Sequence, residues 1–247
     1  MDPAPGRRSQ IPRRYQGAPG RASGTVQDPG YPQFGRSHRN NGNGKGRPRS
    51  DGMKNVLLTG AARGLGLAIA QRLVAEDYRV IGIGRTLTDE YRLLMEQSSS
   101  AQASFHRFDL NDLEGIPPLV RGITREVGPL YALVNNAAIG LDGVLATMHA
   151  SDIGRVLRVN LEAPILMAKF ACRSMLGRGE GRIVNVSSII ATTGFNGLSV
   201  YGASKAGLVG FTRSLARELG RTNITVNCLA PGFMATDMTA GLAGEKL

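Results

Sequence analysis

The sequence predicts an α/β fold, a Rossmann-type doubly wound parallel sheet, over residues 53–247. Three observations predict it. Short apolar runs of strand length alternate with helix-period stretches from Asn55 onward. A glycine-rich turn, "TGAARGLG" (59–66), joins the first such run to the first helical stretch. The chain also has the length of one substantial α/β domain and shows no internal repeat. Alternating strands and helices imply right-handed crossovers and a sheet covered on both faces.

Each element follows in order. "NVLLTG" (55–60) reads as a short buried strand, and "GLAIAQRLVAED" (66–77) spaces its apolar residues for a helix. "YRVIGIGR" (78–85) is strand-like and "DEYRLLMEQ" (89–97) helical. "ASFHRFDL" (103–110) is a strand, followed by a helix over 112–127 entered at Asn111 or Asp112. "LYALVNNAA" (130–138) is a strand, and one helix is expected over about 149–177. "GRIVNVSS" (181–188) is a strand, 199–219 a long helix, and "ITVNCLAPG" (224–232) the sixth strand.

Residues 1–52 read as a disordered basic tail, rich in Gly, Pro, Arg, Asn and Ser and nearly free of aliphatic side chains. Such a segment cannot bury enough apolar surface to offset its ordering entropy. It holds 10 Lys+Arg against 3 acids, net +7, while the remainder holds 20 against 16, net +4. The predicted folded part is therefore only mildly basic. The pair Arg7–Arg8 is followed by no apolar run, which excludes a twin-arginine export signal. The tail is open to three readings: a dispensable extension with Met53 as the start, an organelle transit peptide, or a weak nucleic-acid binder acting through its arginines. The expected compartment is the cytoplasm, or a mitochondrion or plastid if the tail is a transit peptide. Cys172 and Cys228 have no metal-ligand spacing and read as reduced, buried thiols. No metal is expected. No apolar run approaches a membrane span, Trp is absent, and neither a membrane nor a nucleic acid is an expected partner.

The glycine-rich turn suggests a dinucleotide. Gly60 permits a tight exit from the strand. Gly64 and Gly66 remove Cβ atoms where a pyrophosphate would approach backbone N–H groups, and the helix N-terminus adds partial positive charge. A glycine-rich turn alone is as often a plain turn; its place between strand and helix raises its meaning. An NAD site commonly has Asp or Glu at the end of the second strand. Here Arg85 and Thr86 stand there, and Arg63 lies in the loop itself. Guanidinium groups suit a 2′-phosphate, which favours NADP(H). Two solvated arginines are the other reading of the same residues.

The chemistry is expected at "SSIIATTGFNGLSVYGASKAG" (187–207). Tyr201 and Lys205, spaced i and i+4, share one helix face. A free phenol titrates near ~10, and a neighbouring ammonium is expected to lower that value. Tyr201 would donate a proton to a substrate oxygen while hydride arrives at its carbon, and Lys205 would hold the cofactor ribose. Ser188 ends a strand at the carboxyl edge, where open α/β sheets bind ligands, and its hydroxyl can bond the same oxygen.

These segments, with "NNAA" (135–138), Asn160 in "VNLEAP", and "APGFMATDMT" (230–239), resemble the short-chain dehydrogenase/reductase family across nearly all of 53–240. Within it the chain is most similar to 3-oxoacyl-[acyl-carrier-protein] reductases. The resemblance implies a catalytic tetrad of Asn160, Ser188, Tyr201 and Lys205, with Asn160 distorting its helix and holding a relay water. It implies cofactor contacts from Gly60, Arg63, Gly64, Leu65 and Gly66, from Asp109 and Leu110 at the adenine, and from Asn136, Ala137 and Ala138 along the cleft. Pro231, Gly232 and Thr236 would meet the nicotinamide end. It further implies NADPH-dependent reduction of a 3-oxoacyl thioester carried on acyl carrier protein or CoA, in fatty-acid synthesis, by a homo-oligomer that in the family is a tetramer. A ketone or alcohol of another kind is the enzymatic alternative, and a non-catalytic dinucleotide binder the other. Arg178, Arg182 and Arg221 are candidates to meet an acidic carrier, or are ordinary solvated arginines.

Two departures from the family pattern stand out. Ala138 replaces its glycine, and the sequence stops at "TAGLAGEKL" (239–247). The family's C-terminal helix and seventh strand are therefore expected to be missing, leaving a sheet edge open.

Overall fold

A computed structural model describes residues 52–99 and 102–234. The chain divides into Met1–Arg49 and Ser50–Leu247. The expected tail, Gly52 apart, lies outside the described residues, as do 235–247 and with them Thr236.

Six parallel strands form one sheet in the order β3-β2-β1-β4-β5-β6. They are β1 Asn55–Thr59, β2 Arg79–Gly84, β3 Ala103–Arg107, β4 Leu130–Asn135, β5 Gly181–Val186 and β6 Ile224–Leu229. Helices α1 Gly64–Ala75 and α2 Asp89–Gln97 cover one face, where Val56, Leu58, Val80 and Ala132 pack with Ala70 and Tyr91. Helices α3 Ile116–Val127, α5 Ala163–Arg178 and α7 Ser199–Glu218 cover the other, with the single-turn α6 Ile190–Thr193 between β5 and α7. Leu57, Ile81, Leu133 and Ile183 meet Ile123, Met167 and Met175 there. The chain starts in the middle of the sheet, runs outward through β2 and β3, and returns to β4 on the far side of β1. The crevice between β1 and β4 is therefore the switch point at which such sheets take ligands.

Two expected elements differ in their bounds, for physical reasons. The helix expected over 112–127 starts at Ile116, because Pro117 and Pro118 lack the N–H groups that only a first turn can do without. Asp112 Oδ1 accepts instead from the Gly115 N–H at 3.0 Å, closing a turn. The helix expected over 149–177 is two helices, α4 Ala150–Leu157 and α5, joined by a π-helical turn at Arg158–Glu162. A π turn inserts one residue and redirects the side chains it carries. The residue at its centre is Asn160.

A line of buried amides runs through the sheet below the site. Asn135 Nδ2 donates to Asn185 Oδ1 at 2.8 Å and lies 3.3 Å from the Pro164 carbonyl. Asn185 Nδ2 donates to Thr212 Oγ1 at 2.8 Å. The line joins β4 and β5 to α5, which follows the turn that carries Asn160, and to α7, which carries Tyr201. Asn185 is fully buried, so Asn185→Ala leaves both its partners short of a bond in a dry interior. Urea unfolding of that variant should show a loss of about 1–3 kcal/mol.

Candidate active site

The glycine loop is built by packing as much as by conformational freedom. Gly60 leaves β1 at φ +66°, and Gly64 opens α1 at φ +52°, values that favour glycine. Gly66 is buried, and a Cβ there would overlap the Gly60 carbonyl. A Cβ on Gly60 would lie 2.9 Å from the Ala137 Cα. The missing side chain of Gly66 thus also lets the loop pack on itself. The neighbouring "NNAA" segment clamps the loop. Thr59 Oγ1 accepts from the N–H groups of Asn136 and Ala137, each at 3.0 Å. Asn136 Nδ2 donates to the carbonyls of Thr59 at 3.0 Å and Gly60 at 3.2 Å. Ala138, in place of glycine, is half-buried in this wall. Leu65 packs against the core under the loop.

The N-cap of α1, Arg63, makes no side-chain capping bond, and no acid stands in the first turn. An uncapped helix start with a glycine at its mouth presents N–H groups and positive charge to an anion. At the end of β2, Arg85 and Thr86 are exposed. Thr88 Oγ1 donates to the Ala62 carbonyl at 2.6 Å, tying the turn after β2 to the glycine loop. Leu110 is buried beside the crevice, and Asp109 Oδ1 accepts from the Asn111 N–H at 2.9 Å. Loop, helix start and guanidinium groups together fit a phosphorylated dinucleotide.

The tetrad residues come together on the carboxyl edge of the sheet. Ser188 follows β5, with its Oγ 3.2 Å from the Ile190 N–H it accepts. Ser187 Oγ donates to the Lys205 carbonyl at 3.0 Å, pinning α7 to the end of β5. Asn160 is fully buried in the π turn. Its Oδ1 accepts from the Ile139 N–H at 2.8 Å, and its Nδ2 donates to the Ile139 carbonyl at 2.9 Å and to Ser204 Oγ at 3.2 Å. Ser204 Oγ in turn donates to the Tyr201 carbonyl at 2.7 Å. Both amide hydrogens of Asn160 are thereby used on protein, so a relay water would have to bond to it elsewhere than at Nδ2. The side chain acts here as a clip between the β4 exit and α7.

The electrostatics differ from the expectation for Tyr201. Burial raises its phenol above the ordinary value, and the Ser188 hydroxyl works against that rise. Lys205 Nζ lies 5.7 Å from the Tyr201 ring centroid and donates to the Val186 carbonyl at 2.7 Å. The lysine is 2% exposed. Burial lowers it to about 8, with Cys228 opposing. The net shift of the phenol is upward, so burial outweighs any lowering by this ammonium, which is turned to a carbonyl. Cys172 and Cys228 are both free thiols; Cys172 is buried as expected, whereas Cys228, on the edge strand β6, is only half-buried.

Beyond β5 the chain stays paired with the end of β6, which is the edge strand of the sheet. Ser187 N–H donates to the Leu229 carbonyl at 2.7 Å and Ile189 N–H to the Pro231 carbonyl at 3.0 Å. Gly232 is exposed and has open space around it. Thr236 lies outside the described residues. Three sequence candidates are not brought to the site. Arg178 pairs with Glu180 at 3.1 Å, and Arg182 donates to the carbonyls of Gly181 and Asn223. Both stand where β5 begins, one strand length from Ser188, and exposed Arg221 follows α7 at the same amino edge. Four residues that hold the site together were not picked out from the sequence: Thr59, Asn135, Asn185 and Ser204. Polar residues inside otherwise apolar strands, as in "ALVNN" and "RIVNVSS", were the available signal. Among the described residues, no cluster of three or more metal-ligating acids, histidines or cysteines occurs, and no helix is long and apolar enough to cross a membrane.

Comparison with known proteins agrees with this geometry. The family model described as short chain dehydrogenase matches residues 54–246. Carbonyl reductase family member 4 of Xenopus tropicalis is 39% identical over 197 residues, covering 78% of this chain and 81% of that protein. The 3-oxoacyl-[acyl-carrier-protein] reductase FabG of Escherichia coli K12 is 37% identical over 194 residues, covering 78% of each. Among solved structures, a variant of actinorhodin polyketide ketoreductase with NADPH superposes with a TM-score of 0.71 at 36% identity. The match covers 77% of this chain and 74% of that one.

Proposed function

Since the chain belongs to the short-chain dehydrogenases, we propose that it is an NADPH-dependent reductase of 3-oxoacyl thioesters. The observation that carries the chemistry is the Tyr201 hydroxyl, at the start of α7, in hydrogen-bond contact with Ser188 just after β5, on the carboxyl edge that also holds the glycine loop. NADP(H) is the cofactor, and when bound it supplies the hydride. Gly60, Gly64 and the first turn of α1 receive its diphosphate, with Asn136, Ala137 and Ala138 as the wall of the cleft. Arg63, Arg85 and Thr86 meet the 2′-phosphate, Asp109 and Leu110 border the adenine, and Pro231 and Gly232 flank the nicotinamide end.

In the reduction, Ser188 Oγ donates a hydrogen bond to the ketone oxygen and holds it toward Tyr201. Tyr201 Oη gives its proton to that oxygen as negative charge builds there. A phenol raised by burial still carries its proton at neutral pH, which is the form a general acid needs. Lys205 holds the ribose hydroxyls once its Nζ leaves the Val186 carbonyl. Asn160 keeps α7 and the β4 exit in register.

The thioester assignment is supported by the FabG relative, which is named for that substrate. A second reading has its own support. A carbonyl reductase family member is equally similar, which favours a wider range of ketones. NADPH oxidation measured with acetoacetyl thioesters of carrier protein and of CoA, beside unrelated ketones, separates the two. Turnover of the thioesters with the higher kcat/KM is the expected result. Preference for an unrelated ketone overturns the thioester assignment and leaves the oxidoreductase reading in place.

A further inference from the structure

We propose that Arg107 is a third cation of the 2′-phosphate end of the cofactor site and the residue that fixes Arg85 there; this rests on the NADP(H) reading above. Arg107 is the last residue of β3 and pairs with Gly84 in the β2–β3 register. Its Nε donates to the Arg85 carbonyl at 2.8 Å. The next residue, Phe108, donates its N–H to the Gly84 carbonyl at 2.8 Å, so β3 grips the exit of β2 at two successive positions. The guanidinium is thereby carried across the carboxyl end of β2, beside the exposed Arg85 and Thr86.

The charge balance of this corner points to an anion. Residues 84–88 contain no acid. The first acid beyond them, Asp89, pairs with Arg92 at 3.2 Å. Asp109 accepts from a backbone N–H in its own turn. Through its bond to the Arg85 backbone, Arg107 brings a second positive charge to this corner, and a dianionic phosphate received there turns the repulsion between the two into shared attraction. The Nε bond uses one of five donors on Arg107, so an edge of the planar group stays available for bidentate contact. Arg107 acts in two ways at once. It adds charge, and it braces the backbone that carries Arg85. In the sequence Arg107 is an unremarked strand-end residue 22 positions from Arg85; only the register brings them together.

Fluorescence titration of the full chain with NADPH and with NADH, in wild type, Arg107→Ala, Arg107→Lys and Arg85→Ala, tests this. Wild type binds NADPH more tightly. Arg107→Ala weakens NADPH binding by about 10–100-fold and leaves NADH binding unchanged. Arg107→Lys recovers part of the loss, since lysine keeps the charge but cannot hold the Arg85 carbonyl while forking a phosphate. Arg85→Ala lowers NADPH affinity in the same selective way, and its effect is not additive with that of Arg107→Ala. Equal losses for both nucleotides mean a merely structural role and overturn the proposal, as does an unchanged NADPH Kd. Wild type without NADPH preference overturns the cofactor reading itself, and this inference with it. Far-ultraviolet circular dichroism confirms that the variants are folded.

Discussion

Tyr201→Phe lowers kcat for ketone reduction by about 10²–10⁴-fold, the range a positioned general acid supplies, and leaves NADPH bound. The two halves of this result come from different atoms. The half-buried ring packs at the start of α7 and survives as phenylalanine. The hydroxyl alone is lost. Nothing else in the described site can replace it: Ser188 is a far weaker acid, and Lys205 Nζ is directed at the Val186 carbonyl. Burial holds the phenol above its ordinary value, so at pH 7 the wild type is fully in the acid form and its donor is always charged with a proton. Ser188→Ala removes the hydroxyl that opposes that rise, so in this variant the phenol moves further up. Kinetics with NADPH, paired with fluorescence titration of the cofactor, separate the outcomes. Normal turnover in Tyr201→Phe rules out the proton-donor role. Loss of NADPH binding together with turnover moves the residue from chemistry to cofactor holding.

The parts of this site legible in the sequence are those set by local spacing. Strand and helix periods located all six strands and put the glycine loop between β1 and α1. Position i and i+4 alone placed Tyr201 and Lys205 on one face. What the sequence does not carry is what the side chains meet. The i+4 rule cannot say that the Lys205 ammonium ends at the Val186 carbonyl, because that contact depends on how α7 lies on β5. Helical periodicity is nearly the same through a π turn, so 149–177 read as one helix although Asn160 interrupts it. The Asn185–Thr212 bond and the Arg107–Arg85 bond join residues 27 and 22 apart, and both follow from sheet register and helix docking. Arg182 is the opposite case. It stands at the start of the strand that Ser188 follows, so the sequence alone already places the two on opposite edges of the sheet.

Lys205→Met should lower turnover about as far as Tyr201→Phe, and it should also stabilise the cofactor-free protein. The sign follows from the direction of the shift. Burial lowers Lys205 from 10.5 to about 8. Below pH 8 both the folded and the unfolded chain hold the proton, and the folded state bears the whole cost of a desolvated ammonium. Between about 8 and 10.5 the folded state releases the proton while the unfolded state keeps it, so wild-type stability rises with pH across this window. Above it the gain is complete. At 1.36 kcal/mol per pKa unit the cost at pH 7 is of order 3 kcal/mol, offset in part by the bond to the Val186 carbonyl that methionine gives up. Methionine fills a similar volume with no charge. Denaturant unfolding at a series of pH values should therefore find the variant more stable by about 1–3 kcal/mol at pH 7. The difference should narrow toward pH 10, where wild type has already lost its proton. NADPH should narrow it too at pH 7, because the ribose hydroxyls offer the wild-type ammonium partners that methionine cannot use. A variant less stable than wild type at pH 7, or one with the wild-type slope between pH 8 and 10, means that this lysine is not the strained group in the fold. The cost of holding its charge out of water would then not be part of how the site is prepared for its cofactor.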